Sequence, residues 1–127
     1  MRLDCVAVTS VNLDRTVAFY RLLGFTFPEY AADEMHIEAI TPPGAVRLMI
    51  DHADLATQLI GEPPRPGNTS AFGILCDGPA GVDRVAAAIE AAGFAVETAP
   101  WDAFWGQRYA TVSDPDGYRV DLFAPLG

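Results

Sequence analysis

Leu22-Leu23-Gly24-Phe25 and Ala91-Ala92-Gly93-Phe94 close two stretches of chain that otherwise run alike. Internal symmetry of this kind constrains the fold more than any single motif, because each repeat is one unit with an apolar face to bury. Leu3 to Thr9 is short and Val-rich and reads as a strand. Asn12 or Asp14 can cap a helix reaching Leu23. Leu13, Val17 and Tyr20, with Phe19 and Leu23 alongside, cover one side of it at helical spacing. Gly24 is placed to end the helix. Phe25 and Phe27 begin a second strand, and Met35–Ile40 makes a third. After the turn Pro42-Pro43-Gly44, Val46, Leu48 and Ile50 alternate with Arg47, Met49 and Asp51 in a fourth.

The second copy repeats the order. Ser70–Cys76 is a strand, Val82, Val85, Ile89 and Ala92 mark a helix face, Gly93 ends that helix and Phe94 opens the next strand. Strands follow near Ala95–Thr98, Arg108–Ser113 and Tyr118–Phe123. Between them Asp114-Pro115-Asp116-Gly117 is a hairpin turn, in which Pro115 pre-sets φ for the first turn position. In the last strand Val120 and Leu122 point one way and Arg119, Asp121 and Phe123 the other. The expectation is an α+β fold of two tandem βαβββ units, residues 1–52 and 69–127. They would form a curved mixed sheet with helices outside and a concave ligand cavity inside. Residues 53–68, rich in Pro and Gly, read as a connector with one helical turn around Leu55 to Ile60.

The 127 residues suffice for one domain with a core and not for two ordinary ones. No apolar run approaches the ~18 residues that span a bilayer. The start Met1-Arg2-Leu3-Asp4 lacks the apolar stretch of a signal peptide. Cys5 and Cys76 make no disulfide framework and read as reduced thiols of a cytoplasmic protein. The net charge of −9 argues against a nucleic-acid partner, whose affinity comes from neutralising phosphates. It is compatible with a cationic ligand, and equally with a plain solubility device.

Val8-Thr9-Ser10-Val11-Asn12-Leu13-Asp14-Arg15, then Ala18-Phe19-Tyr20 and Leu23-Gly24-Phe25, resemble the opening of the vicinal-oxygen-chelate superfamily. That group includes glyoxalase I, extradiol dioxygenases and bleomycin-resistance proteins. Trp105-Gly106-Gln107-Arg108, Asp114-Pro115-Asp116-Gly117 and Val120-Asp121-Leu122 resemble its last hairpin. The resemblance implies the tandem βαβββ arrangement and a homodimer with grooves between subunits. It also implies a divalent metal held by His, Gln or Glu at four strand positions. Those positions fall here on Cys5, Met49, Ser70 and Asp121. Only Asp121 is a good ligand for Mg²⁺, Mn²⁺ or Fe²⁺. No metal and no other cofactor is therefore expected, and the set favours a binding member over a metalloenzyme.

The candidate ligand-binding residues follow from the same reading. Trp101, Phe104 and Trp105 form a stacking surface for a planar or cationic ligand, or else pack a sheet edge or a dimer interface. Asp121 accepts a hydrogen bond from a ligand amine, or pairs with Arg119, Arg108 or Arg47. Arg108 has the same ambiguity with the sign reversed. His36 gains interest if Tyr30 and Trp105 come near it. Cys5, Met49, Ser70, Phe72 and Phe123 line the cavity, with Cys5 a small hydrophobe rather than a nucleophile. The expected function is sequestration, without catalysis, of an aromatic small molecule, cationic or not, such as an antibiotic. The competing readings are a glyoxalase-type lyase or dioxygenase with an atypical metal site built from His36, His52, Asp51 or Glu38, and an accessory protein of natural-product biosynthesis.

Overall fold

Asn12 and Gly24 bracket the first helix as their chemistry requires. The Asn12 side chain accepts the Arg15 N–H, which satisfies one of the unpaired donors at a helix start. At the other end the Gly24 N–H donates to the Arg21 carbonyl and the Phe25 N–H to the Tyr20 carbonyl. That is a Schellman ending, with Gly24 in the left-handed region at φ 95°. The second copy repeats it bond for bond: Gly93 donates to Glu90, Phe94 to Ile89, and Gly93 has φ 86°.

The computed structural model describes residues 1–127. The elements are β1 (Cys5–Ser10), α1 (Leu13–Leu22), β2 (His36–Glu38), β3 (Arg47–His52), α2 (Ala53–Ile60), β4 (Ser70–Leu75), α3 (Gly78–Ala91), β5 (Ala95–Ala103), β6 (Gln107–Ser113) and β7 (Arg119–Pro125). They fall into two compact units, Met1–Pro66 and Gly67–Gly127. No helix is long and apolar enough to cross a membrane.

The second unit has a four-stranded mixed sheet in the order β4-β7-β6-β5. β4 runs parallel to β7, and the other neighbours are antiparallel. Helix α3 packs on β5, β6 and β7. Beneath it Ala110, Val112, Val120, Leu122 and Ala124 are fully buried, together with Val82 and Ile89 of the helix. Burying a Leu or Val side chain of this kind contributes about 1.5–3 kcal/mol. The β6–β7 turn is fixed by Asp114, whose Oδ1 accepts the backbone N–H groups of Asp116 and Tyr118.

The first unit has three strands in the order β1-β3-β2. β1 is parallel to β3 and β2 antiparallel to it. This is the second unit's order with its outermost member pared away. The expected strand at Phe25 and Phe27 amounts to a single bridge between Thr26 and Ile40. Pro28, with no N–H to give a ladder, follows directly. On the core face Val8, Ile37, Leu48 and Ile50 are buried, as are Val17, Phe19 and Tyr20 of α1. A buried hydrogen bond of 2.6 Å between the Ser10 and Thr16 hydroxyls ties β1 to α1.

The tandem α+β organisation holds, with the strands distributed over two mixed sheets, one in each unit. The strand expected over Met35–Ile40 is confined to His36–Glu38, and two further boundaries differ from expectation. The connector begins with α2, which is longer than one turn, packs on β1 and β3, and is capped by the His52 imidazole accepting the Asp54 N–H. β5 runs on to Ala103, so Trp101 stands on a strand and only Phe104-Trp105-Gly106 form the turn.

Candidate functional site

Alternation along β5, β6 and β7 decides which side chains share the face turned away from α3. Trp101 pairs with Tyr109 and Tyr109 with Phe123, so three aromatic residues form one row across three strands. The tight turn, closed by the Gly106 N–H donating to the Ala103 carbonyl, sets Trp105 at the end of that row. Its indole lies edge-to-face on Trp101, with centroids 5.6 Å apart, and on Tyr109 at 5.4 Å. Phe104 meets Trp105 in the same manner at 5.0 Å. The Trp105 Nε1–H is held by the Gln107 side-chain oxygen at 2.8 Å. Edge-to-face contacts of this kind add about 0.5–1.5 kcal/mol each beyond burial. Trp101, Phe104 and Trp105 nevertheless stay exposed, Phe104 at 92%.

The next row carries Thr111 and Asp121. The Asp121 Oδ1 accepts hydrogen bonds from the Ser70 hydroxyl at 2.5 Å and the Thr111 hydroxyl at 3.2 Å. Thr111 also reaches the Tyr109 hydroxyl at 3.3 Å, joining the aromatic row to the carboxylate. The Tyr109 phenol is pushed above its ordinary value, first by burial and then by the neighbouring carboxylate, while the Thr111 hydrogen bond works the other way. Phe123 leans over Gly73, where a Cβ would come within 3.2 Å of its ring.

None of the arginines expected to pair with Asp121 does so. Arg119 donates to the Asn68 carbonyl, Arg108 to Asp83 and Asp102, and Arg47 to Asp4 and Glu38. Asp121 is therefore a carboxylate held by hydroxyls, with no cation paired to it.

Two predicted site residues lie on the other face of this sheet. Arg108 stands in register with Ala124 and bridges to Asp83 of α3, away from Tyr109. Phe72 stands in register with the buried Val120. Tyr109 and Thr111 went unrecognised as site residues. The signal was available, since the period-2 rule that buries Ala110 and Val112 puts Arg108 with them and Tyr109 and Thr111 opposite.

In the first unit the corresponding face carries Cys5, Ala7 and Thr9 from β1, Arg47, Met49 and Asp51 from β3, and His36 and Glu38 from β2. His36 Nδ1 meets the Asp51 carboxylate at 2.5 Å. Arg47 bridges Asp4 and Glu38. Tyr30 donates its hydroxyl to Asp14 at 2.6 Å, and its phenol is raised by burial first and by that carboxylate next. Tyr30 and His36 both line an open cleft of 780 Å³ beside β2. His52 is committed to its helix cap. Cys5 and Cys76 are free thiols, and burial raises the Cys76 thiol.

The four positions implied for a metal divide between the units. Cys5 and Met49 share the first unit's face. Ser70 and Asp121 touch in the second. A thiol, a thioether and a hydroxyl do not suit a hard divalent ion. No group of three or more His, Cys, Asp or Glu side chains comes together anywhere in the chain in a way that could hold a metal, so His36, Asp51 and Glu38 do not assemble a displaced site.

Solved structures share the fold at low identity. A glyoxalase/bleomycin resistance protein/dioxygenase family enzyme from Burkholderia phytofirmans is 19% identical, with a TM-score of 0.81 over 99% of this chain and 100% of its own. A glyoxalase-related enzyme from Fulvimarina pelagi is 16% identical, with a TM-score of 0.82 over 99% of this chain and 92% of its own. Lactoylglutathione lyase from Agrobacterium tumefaciens is 20% identical, with a TM-score of 0.70 over 97% and 92%. At these identities the likeness speaks for the fold alone. None of the curated proteins matches the sequence. The family model of the Glyoxalase/Bleomycin resistance protein/Dioxygenase superfamily matches residues 2–122, and the chain belongs to that superfamily.

Proposed function

We propose that this protein binds a planar aromatic, cationic small molecule without transforming it, and so protects a cell by sequestration. The observation that carries the reading is the aromatic row Trp101–Tyr109–Phe123, capped by Trp105, beside a carboxylate with no cation of its own. Indole and phenol faces attract cations and stack on planar rings, while Asp121 supplies the countercharge. A net charge of −9 would concentrate such a ligand near the protein. The donor set argues in the same direction, because catalysis of the glyoxalase or dioxygenase kind needs ligands these positions do not offer. By resemblance to its superfamily the protein is expected to act as a homodimer with ligand grooves between subunits.

Tryptophan fluorescence tests the reading directly. A cationic glycopeptide or intercalator-type drug should quench Trp101 and Trp105 saturably below about 100 µM, and a neutral analogue should bind roughly tenfold more weakly, a difference of about 1.4 kcal/mol. Asp121→Asn should remove that discrimination while leaving the neutral analogue unaffected. Quenching by no planar or cationic compound at high micromolar concentration would sink the proposal. Stoichiometric Fe, Ni, Zn or Mn retained through gentle purification would replace it with a metalloenzyme.

A further inference from the structure

β2 is the outer strand of the first sheet, and its free side is chemically unfinished. Met35 and Ala39 direct their backbone groups to β3: the Met35 carbonyl accepts the His52 N–H at 2.8 Å, and the Ala39 N–H donates to the Leu48 carbonyl at 3.0 Å. By alternation Ile37 faces β3 as well, and His36 and Glu38 present their N–H and C=O groups outward. Ile40 lies on that outward side, and its N–H is taken by the Thr26 carbonyl at 2.8 Å. The Thr26 bridge is the whole pairing on this side. In the second unit the equivalent side of β6 is occupied by β5, a strand of nine residues.

We propose that the outer edge of β2 docks an extended peptide bearing Lys or Arg side chains, added as a strand beside His36–Glu38. Strand addition supplies main-chain hydrogen bonds, and adjoining side chains supply selectivity. The cleft of 780 Å³ runs along this edge, walled by Pro28, Glu29, Tyr30 and Glu34. Its size falls within the ~300–1,000 Å³ usual for binding clefts. Its charge selects the partner. Arg2 and Arg47 are already engaged by Asp4 and Glu38, which leaves the Glu29 and Glu34 carboxylates without a cation. A second copy pairing edge to edge would set Glu29 and Glu34 against the same carboxylates, so this edge disfavours a copy of the chain as occupant. A short edge with charged side chains is how proteins deter indiscriminate strand pairing. Here that charge has one sign to spare, so it deters acidic or apolar strands and admits basic ones.

The test uses the full chain and a fluorescein-labelled hexapeptide of alternating Lys and Val, followed by anisotropy. Saturable binding that weakens with salt is expected. N-methylating the peptide backbone at alternate residues should weaken binding at least tenfold, and a Glu/Val peptide should not bind. Glu38→Pro removes one outward N–H and no backbone bond to β3, and it loses the side-chain pair with Arg47 just as Glu38→Ala does, so it should abolish binding. Glu38→Ala, which keeps that N–H, should cost only a few-fold. Should Glu38→Pro fail to fold, the N-methylated peptide asks the same question of the unaltered protein. Equal binding of the N-methylated peptide would overturn strand addition, as would equal binding of the acidic one or full displacement by spermidine at matching affinity. So would no binding at all, including the case in which light scattering shows a dimer that Glu38→Pro dissolves.

Discussion

The two units share one plan and display opposite chemistry. In both, a first strand lies parallel to the last, a helix ends in a Schellman turn at glycine, and alternate residues of the last strand are buried: Leu48 and Ile50 in one, Val120 and Leu122 in the other. The far faces have nothing in common. One carries the His36–Asp51 contact and the Arg47–Glu38 ion pair, and the other an aromatic row beside Asp121. The outermost strand also differs, nine residues against one bridge. A core face must stay apolar to pay the entropy of ordering the chain. A far face is under no such demand, so the repeat keeps its interior and spends its exterior on different tasks.

Truncating matched core positions offers the strongest way to break this comparison. Leu48→Ala and Leu122→Ala should each cost about 2–5 kcal/mol, read from urea midpoints. A loss at Leu48 much smaller than at Leu122 would show that the pared-down sheet is less tightly packed than its fuller counterpart. Gly24→Ala and Gly93→Ala come next. Each forces a Cβ into the left-handed region, and each should cost about 1–2 kcal/mol. Unequal costs would mean that one of the two matching turns is relaxed by its surroundings.

The helix starts separate the units more finely. Asn12→Ala should destabilise by about 1 kcal/mol, because its side chain caps α1. Asp77→Ala should change stability by no more than about 0.5 kcal/mol, because Asp77 precedes α3 without a side-chain capping bond. The smallest expected effect is a shared one. Tyr30 and Tyr109 both have phenols raised above the ordinary 10.0. A raised pKa favours the folded state only while the proton stays on. The contribution is thus complete below about pH 10 and is lost as pH climbs through the folded value. Tyr30→Phe and Tyr109→Phe should each flatten the fall in urea midpoint between about pH 9.5 and 11. A steeper fall in either variant would contradict the sign.

Much of this organisation was legible in the residues. Gly24 and Gly93 announce both helix ends, Asp114-Pro115-Asp116-Gly117 announces the last turn, and Val120 and Leu122 declare their face by period 2. The failures have physical causes. Phe25 and Phe27 alternate like a strand, yet Pro28 interrupts the ladder. Pro100 stands inside β5 and is tolerated because β5 is an edge strand whose register shifts between Thr98 and Trp101. Helix α2 hides in a stretch rich in proline, because its cap is the imidazole of His52, an uncommon choice. On the face that carries the candidate site, residue type alone points to Trp101, Trp105 and Asp121, whereas Tyr109 and Thr111 join them only through the strand register. Charge makes Arg108 a candidate, but period 2 puts it on the same face as Ala110, where it bridges to Asp83 of α3.

The parallel pairing of first strand with last carries a kinetic consequence. Cys5 meets Arg47 and Gly73 meets Asp121, so nearly the whole of each unit is made before its opening strand finds a partner. Closing so long a segment costs entropy before any contact repays it, and chains dominated by distant pairings fold slowly. The β6–β7 hairpin and the helices α1 and α3 rest on local contacts, and the expected order has β1 and β4 docking after them. Until then Leu48, Ile50, Val120 and Leu122 lack their partners on β1 and β4, which makes that waiting interval the period in which an unfinished chain is most exposed to aggregation.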